Sequence, residues 1–185
     1  MDHSHINQNI ARQLKARRKD KGWSLDKTAQ TTGVSKAMLG QIERGESSPT
    51  IATLWKIATG LSCSFSTFIT HENRAIVETS KRDGDAFAND PNMQVKTLFA
   101  YDPSTGFEVF EITLTNNHTQ LSDAHQQGVK EHIHVLEGEL QLAEGDDWFT
   151  LATGEQSILK ADRPHGYRAV GSLTRFLDII YYPQS

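Results

Sequence analysis

Residues 22–61 read GWSLDKTAQTTGVSKAMLGQIERGESSPTIATLWKIATGL, and this stretch decides how the first part of the chain folds. Ser24 precedes Leu25, Thr28 and Ala29, and a serine hydroxyl there can accept from the free N–H groups of a helix start. Thr31-Thr32-Gly33-Val34 is a break with turn chemistry. Ser35 opens a second helix, which carries Ala37, Met38, Leu39 and Ile42 and stops at Arg44-Gly45. After Ser47-Ser48-Pro49, the residues Ile51, Leu54, Trp55, Ile57 and Ala58 keep helical spacing up to Gly60. Upstream, Ile10, Leu14 and Arg17–Arg18 follow the same period and end at Gly22. Downstream, Phe65, Phe68 and Ile69 form one more short apolar face.

Two helices joined by a tight turn, with small residues (Ala29 and Gly33) expected at their crossing, make a helix-turn-helix. The second helix of such a unit lies in the DNA major groove, its N-terminal residues at the base edges. That helix begins after Ser35, so Lys36, Ala37 and Gln41 are the expected base readers. Lysine donates to guanine, glutamine pairs with adenine, and alanine meets a thymine methyl. Ser24, Ser35 and Arg44 are expected at phosphates. One such domain covers a half-site, so a homodimer on double-stranded operator DNA is expected.

The charge supports a division. The chain has 185 residues, with 19 Lys+Arg and 23 Asp+Glu. Residues 1–70 hold ten basic and five acidic groups (+5), and residues 71–185 hold nine and eighteen (−9). A basic head attracts phosphates, whereas an acidic body needs another partner. No apolar run approaches the roughly 18 residues of a membrane span. The opening MDHSHINQNIARQLKARRKDKG lacks the apolar core of a secretory signal. The single cysteine, Cys63, excludes a disulfide framework, and its neighbours Leu61, Phe65 and Phe68 suggest a buried structural thiol. The expected compartment is the cytoplasm.

Residues 71–92 are polar and read as a linker, with a short strand near Ala75–Glu78. Beyond them the pattern alternates. The expected strands are Val95–Tyr101, Phe107–Thr115, Glu131–Glu137, Glu139–Ala143, Trp148–Leu151, Gln156–Leu159, Tyr167–Val170 and Thr174–Tyr181. Gly138, Gly154 and Gly171-Ser172 are among the turn signals between them. Many short strands with regular turns indicate a sandwich or barrel. His118, His125, His132 and His134 cluster, and His165 follows; imidazole is the commonest metal ligand. Alternation puts His132 and His134 on one face of their strand, opposite Glu131, Ile133 and Val135. That pair is a possible metal clamp or a half-exposed outer pair.

The first stretch resembles the phage-repressor-like helix-turn-helix domains of the XRE family over about residues 8–70, and especially those of bacterial sulfur-utilisation regulators. In that family an arginine late in the first helix pairs with a glutamate late in the recognition helix; the matching positions are Arg18 and Glu43. EHIHVLEGEL (131–140) and RPHGYR (163–168) resemble the cupin family, a double-stranded β-helix barrel, over residues 93–182. The resemblance implies a divalent metal, most simply zinc, on His125, Glu131 and His165. A further histidine of the cupin pattern falls at Gln127, so three ligands remain and the site stays open. Gln127 and Tyr167 would line an effector pocket. A site built on His132 or His134, or no metal at all, are the other readings.

The expected architecture is therefore α plus all-β: a helix-turn-helix bundle at 8–70, a linker at 71–92 and a cupin barrel at 93–182. The expected function is a transcription regulator, not an enzyme, whose barrel binds a small effector such as cysteine or methionine. A metal-dependent dioxygenase or isomerase with a DNA-binding appendage is the alternative. A DNA-binding protein with an inert barrel is a third reading.

Overall fold

Three side-chain hydroxyls start three helices. Ser24 accepts from the Lys27 N–H at the head of α2 (Leu25–Thr32), Ser35 from Met38 at the head of α3 (Lys36–Glu43), and Thr50 from Thr53 at the head of α4 (Ile51–Leu61). Before them runs α1 (His3–Asp20), which begins earlier than residue 8, and after them α5 (Ser66–Ile69). These elements belong to a computed structural model that describes residues 3–69 and 86–183. The core of the helical unit is Ile10, Leu14, Leu39, Leu54, Phe65 and Phe68, all removed from solvent. Asn9 donates to the Phe68 carbonyl at 2.8 Å and ties α1 to α5.

Two glycines differ from their expected roles. Gly33 does not serve the helix crossing: it has φ +69°, caps α2 through a bond to the Ala29 carbonyl, and has open space at its Cβ position. Gly60 does not stop α4, which runs on to Leu61 and ends at Ser62 in the left-handed conformation. A Cβ on Gly60 would lie 2.7 Å from Thr32 Cγ2 and 2.8 Å from Thr32 Cα. Gly60 is where α4 approaches the end of α2, a contact that leaves no room for a side chain. Cys63 is half-buried rather than fully enclosed, and its thiol points to the Ala58 carbonyl.

The second unit is all β, and the division falls near residue 87. Its strands are β1 (Ala86–Asp90), β2 (Met93–Asp102), β3 (Phe107–Thr115), β4 (Thr119–Ser122), β5 (Lys130–Glu144), β6 (Asp147–Ala152), β7 (Gln156–Lys160) and β8 (His165–Tyr181). β1 lies inside the stretch expected as linker; the strand expected near Ala75–Glu78 falls outside the described residues. Two pairs of expected short strands are single long ones, β5 and β8. They pair along their length, from Lys130↔Tyr181 to Glu144↔His165. The later half of β8 also pairs with β3 and its earlier half with β4; the earlier half of β5 pairs with β7 and its later half with β6. Two sheets thus share two bent strands, the arrangement of a double-stranded β-helix.

The bend explains the misread turns. Between Glu137↔Arg175 and Glu139↔Val170, one residue of β5 faces four of β8. The one residue is Gly138, with φ +80°, and a Cβ there would collide with the Leu173 carbonyl oxygen. Thr174 Oγ1 donates to the Glu139 carbonyl at 2.7 Å and holds the bulge. Such bulges kink a strand without ending it.

Candidate functional sites

The interior faces of β5 and β8 carry polar groups where the pattern otherwise places apolar ones. Glu131 is the second residue of β5 and is fully buried; His165 opens β8; Tyr167 follows on the same face. His125 comes from the loop before β5, fixed by its backbone N–H to the Ala161 carbonyl at 2.8 Å. The three expected ligands converge. His125 Nε2 lies 3.2 Å and His165 Nε2 3.4 Å from Glu131 Oε1, and each side chain is more than nine-tenths buried. All three ligand atoms lie within 4.8 Å of one another.

Two of the three ligands are oriented from behind. His165 Nδ1 is 2.8 Å from the Arg163 carbonyl; donating there leaves the Nε2 lone pair aimed at the cluster. Tyr167 donates its hydroxyl proton to Glu131 Oε2 and leaves Oε1 facing the imidazoles. Glu131 Oε1 and His165 Nε2 are buried and meet no hydrogen-bonding partner. A buried unpaired polar atom costs about 1–3 kcal/mol. A cation held by all three offsets that cost, and the edge of a tetrahedral zinc site is about 3.4 Å. The residues therefore fit a divalent metal.

The electrostatics agree. Burial alone raises the Glu131 carboxyl; the two imidazoles, His165 foremost, outweigh it and hold the group below the usual carboxylate range. Burial alone lowers His165; Glu131 outweighs it and raises the imidazole. Tyr167 is pushed well up by burial and by the Glu131 and Asp178 charges. Sequence reasoning did not single out Asp178 and Glu108, two further buried acids on the interior face; alternation alone marks them only as polar strand residues. Asp178 is pushed well up by burial, Glu131 and Glu108. His132 and His134 are half-buried on the opposite face of β5 from Glu131 and do not join the cluster. Gln127 is exposed in the turn before β5, so the structure does not bring it to the triad.

In the helical unit, Ser24, Ser35, Lys36, Ala37, Gln41 and Arg44 are all exposed. Lys36, Ala37, Gln41 and Arg44 fall within about 140° of arc on α3 and its cap, opposite the buried Leu39 and Ile42. Lys36 is paired with Asp26 at 2.8 Å and Arg44 with Glu46 at 2.6 Å, both in solvent. Behind the helix, Arg18 binds Glu43 with two bonds, 2.5 and 2.8 Å, and also donates to the Trp23 carbonyl. The hydrogen bond to Glu43 raises the Arg18 guanidinium further. The pairing expected from the resemblance is present.

Comparison with known proteins matches a helix-turn-helix model over residues 14–68 and a cupin-domain model over 110–180. The chain is 46% identical over 173 residues to the HTH-type transcriptional regulator SutR of Escherichia coli K12, covering 93% of this chain and 94% of that protein. The chain belongs to the XRE-type helix-turn-helix transcriptional regulators that carry a cupin domain. A crystal structure of an HTH_3 family transcriptional regulator from Vibrio cholerae is 49% identical, with 98% of this chain and 99% of that one covered and a TM-score of 0.86. Hydroxypropylphosphonic acid epoxidase from S. wedmorenis, 17% identical with a TM-score of 0.50 over 95% of this chain and 98% of that one, shares the fold alone. No described helix is long and apolar enough to cross a membrane.

Proposed function

We propose that this regulator binds operator DNA as a homodimer through residues 8–70 and senses a small effector at a metal in the barrel, residues 93–182. Lys36, Ala37 and Gln41 read bases; Ser24, Ser35 and Arg44 meet phosphates. Lys36 and Arg44 exchange their acidic partners for DNA at little cost, because exposed ion pairs contribute about 0–1 kcal/mol. The ion is zinc, held by His125, Glu131 and His165, with Tyr167 behind Glu131. Bound there, zinc supplies a Lewis-acidic centre with a position left for a donor atom of the effector. A sulfur amino acid, cysteine or methionine, fits such a position through thiol, amine or carboxylate. The protein acts in the cytoplasm, with the DNA it reads.

The observation that carries this reading is the triad with its unpaired atoms in the same chain as a recognition helix. A ligand that merely occupies the barrel changes nothing; it must prefer one state of the dimer over another. A coupling of about 1–3 kcal/mol changes operator affinity roughly 5–150-fold. The dimer is supported by a mostly apolar row on the outer sheet face, Phe99–Val109–Ile179–His132–Ile158, in register across five strands and interrupted only by the His132 imidazole. Phe99 and Ile158 at its ends are 65% and 59% exposed, a two-ended surface suited to self-pairing.

The test is operator affinity at fixed salt with cysteine, with methionine and without either, for the wild type and His165→Ala. Effector dependence in the wild type and its loss with the metal in His165→Ala is the expected result. A ligand that binds the barrel yet leaves operator affinity unchanged ends the sensor reading. Consumption of that ligand in the same assay would make the barrel an enzyme. Gln41→Ala should weaken the cognate site by about 1–3 kcal/mol and relax its specificity.

A further inference from the structure

The metal accounts for two of the buried unpaired atoms among the described residues; of the other four, His118 Nε2, Arg175 Nε, Thr97 Oγ1 and Asp178 Oδ1, the last two concern the barrel interior. Asp178 Oδ1 and Thr97 Oγ1 are buried and meet no hydrogen-bonding group; Asp178 is 1% exposed and Thr97 7%. Both face inward. Thr97 on β2 registers with Phe110 on β3, which registers with Asp178 on β8, and residues in one cross-strand row share a face. A bulge directly follows Thr97, between it and Phe99, and bulges re-aim the side chains beside them. Glu108 lies on the same face. It and Glu131 flank Ile180 from either side, and Ile180 is two residues from Asp178. Glu108 accepts from the Tyr182 hydroxyl at 2.5 Å.

Among the described residues, this interior therefore carries three carboxyl groups, Glu108, Glu131 and Asp178, and the two imidazoles of the triad. With Glu131 on the metal, what remains is two carboxyl groups, which can ionise beside a cation, and a hydroxyl, all three able to accept from it. Such a set matches a group that only donates. A primary ammonium has three N–H donors and no acceptor. A carboxylate, phosphate or thiolate would face like charge or unmatched acceptors. A buried carboxylate is tolerated when it is paired and hydrogen-bonded.

We propose that Asp178, Glu108 and Thr97 form an ammonium subsite beside the triad, and that the effector is a primary amine whose second donor reaches the metal. This rests on the metal reading above and adds to it the half of the ligand that the metal does not hold. It also assigns the amine to the protein rather than to the ion, which leaves sulfur or carboxylate for coordination.

The test uses the zinc-loaded full chain and calorimetric titration with paired probes. Cysteamine is compared with 2-mercaptoethanol, and the three-carbon aminothiol with the three-carbon hydroxythiol. Within each pair the thiol can bind zinc and only the ammonium differs. The aminothiol of the better-fitting length is expected to bind about 10–100-fold tighter than its hydroxyl partner, the range for a hydrogen bond to a charged group. Asp178→Asn should abolish that preference while keeping zinc content, and Thr97→Val should reduce it several-fold. Equal affinities in the wild type overturn the subsite, whatever the variants do. A preference that survives Asp178→Asn also overturns it, because the amine is then chelating zinc. Zinc retention without an amine preference leaves the metal reading standing. A chain that holds no zinc and binds neither thiol removes both.

Discussion

Each unit of this protein contains a group of buried charge, and the two are built to opposite rules. In the helical unit, Arg18 and Glu43 meet through two bonds, and a third goes from Arg18 to the Trp23 carbonyl. In the barrel, Glu131 Oε1 and His165 Nε2 lie 3.4 Å apart and neither has a hydrogen-bonding partner. The first group is closed: its hydrogen bonds hold α1 to α3 and present the recognition helix. The second is open, and its remaining valence is available to something else. Burial and charge are common to both. Satisfaction is what separates a structural ion pair from a binding site.

Substitution should expose the difference. Arg18→Met strands a mostly buried Glu43 and is expected to cost about 3–5 kcal/mol, the penalty for removing one partner of a buried pair. Denaturant unfolding followed by helix signal should show it, with the barrel's own transition unmoved. Equal loss in both units would mean that the pair supports more than the helices.

Glu131→Gln should behave differently, and its sign should change with pH. Glu131 is held below its usual range, so its contribution in the metal-free fold is present above the unfolded value near 4.3 and is lost as pH falls. His165 is held above its usual range, so its contribution is full below about pH 6.5 and is lost as pH rises through the folded value. The window in which both contribute runs from about pH 4.3 to 6.5 and fades above it. Without metal, Glu131→Gln should therefore destabilise at pH 5.5. At pH 9 the destabilisation should shrink, and once His165 has lost its proton it should reverse by about 1–3 kcal/mol, because an unpaired carboxylate is removed and Tyr167 keeps an acceptor. Zinc reverses the trend in the wild type, since it binds deprotonated ligands and its stabilisation grows with pH. Unfolding curves at the two pH values, with chelator and with zinc, check all three signs.

The smallest effect belongs to the caps. Ser35→Ala removes the acceptor for the Met38 N–H and should cost about 1 kcal/mol. If Ser35 also meets a phosphate, operator affinity falls by more than the stability loss explains. Comparing the two losses in one variant separates cap from contact.

The helical unit was legible because its signals are local. Ser24, Ser35, Gly33 and Gly45 each act within four residues, and the chain shows them in order. Gly60, Gly138 and Gly171 read alike as stops, and none of them is one. A glycine reports that the backbone needs freedom or room; whether it turns or lets another strand pass depends on residues far away. Gly60 needs Thr32 and Gly138 needs Leu173, partners 28 and 35 positions distant. The triad was legible through the cupin resemblance, whose motif residues occupy positions 125, 131 and 165. Asp178 and Glu108 were not, because alternation cannot show that a polar residue faces inward until the register is known. Gln127 was placed by the same motif and lies in an exposed turn, where the pattern sets a position and the loop sets the direction.

The long pairing of β5 with β8 has a consequence for how the chain acquires its structure. The helical unit can form as soon as α5 is made, because even its farthest contact, Asn9 with Phe68, closes at that point. The β unit cannot follow piece by piece. β8 is the neighbour of β3, β4 and β5 at once, and Phe107 and Lys130 both register with Tyr181. Until that strand arrives, β3 and β5 each present an unpaired edge, the kind of surface that recruits other chains. Contacts this distant in sequence also close slowly. During synthesis, a nascent chain halted between residues 144 and 165 should therefore carry a finished DNA-binding head on an unfinished, aggregation-prone body.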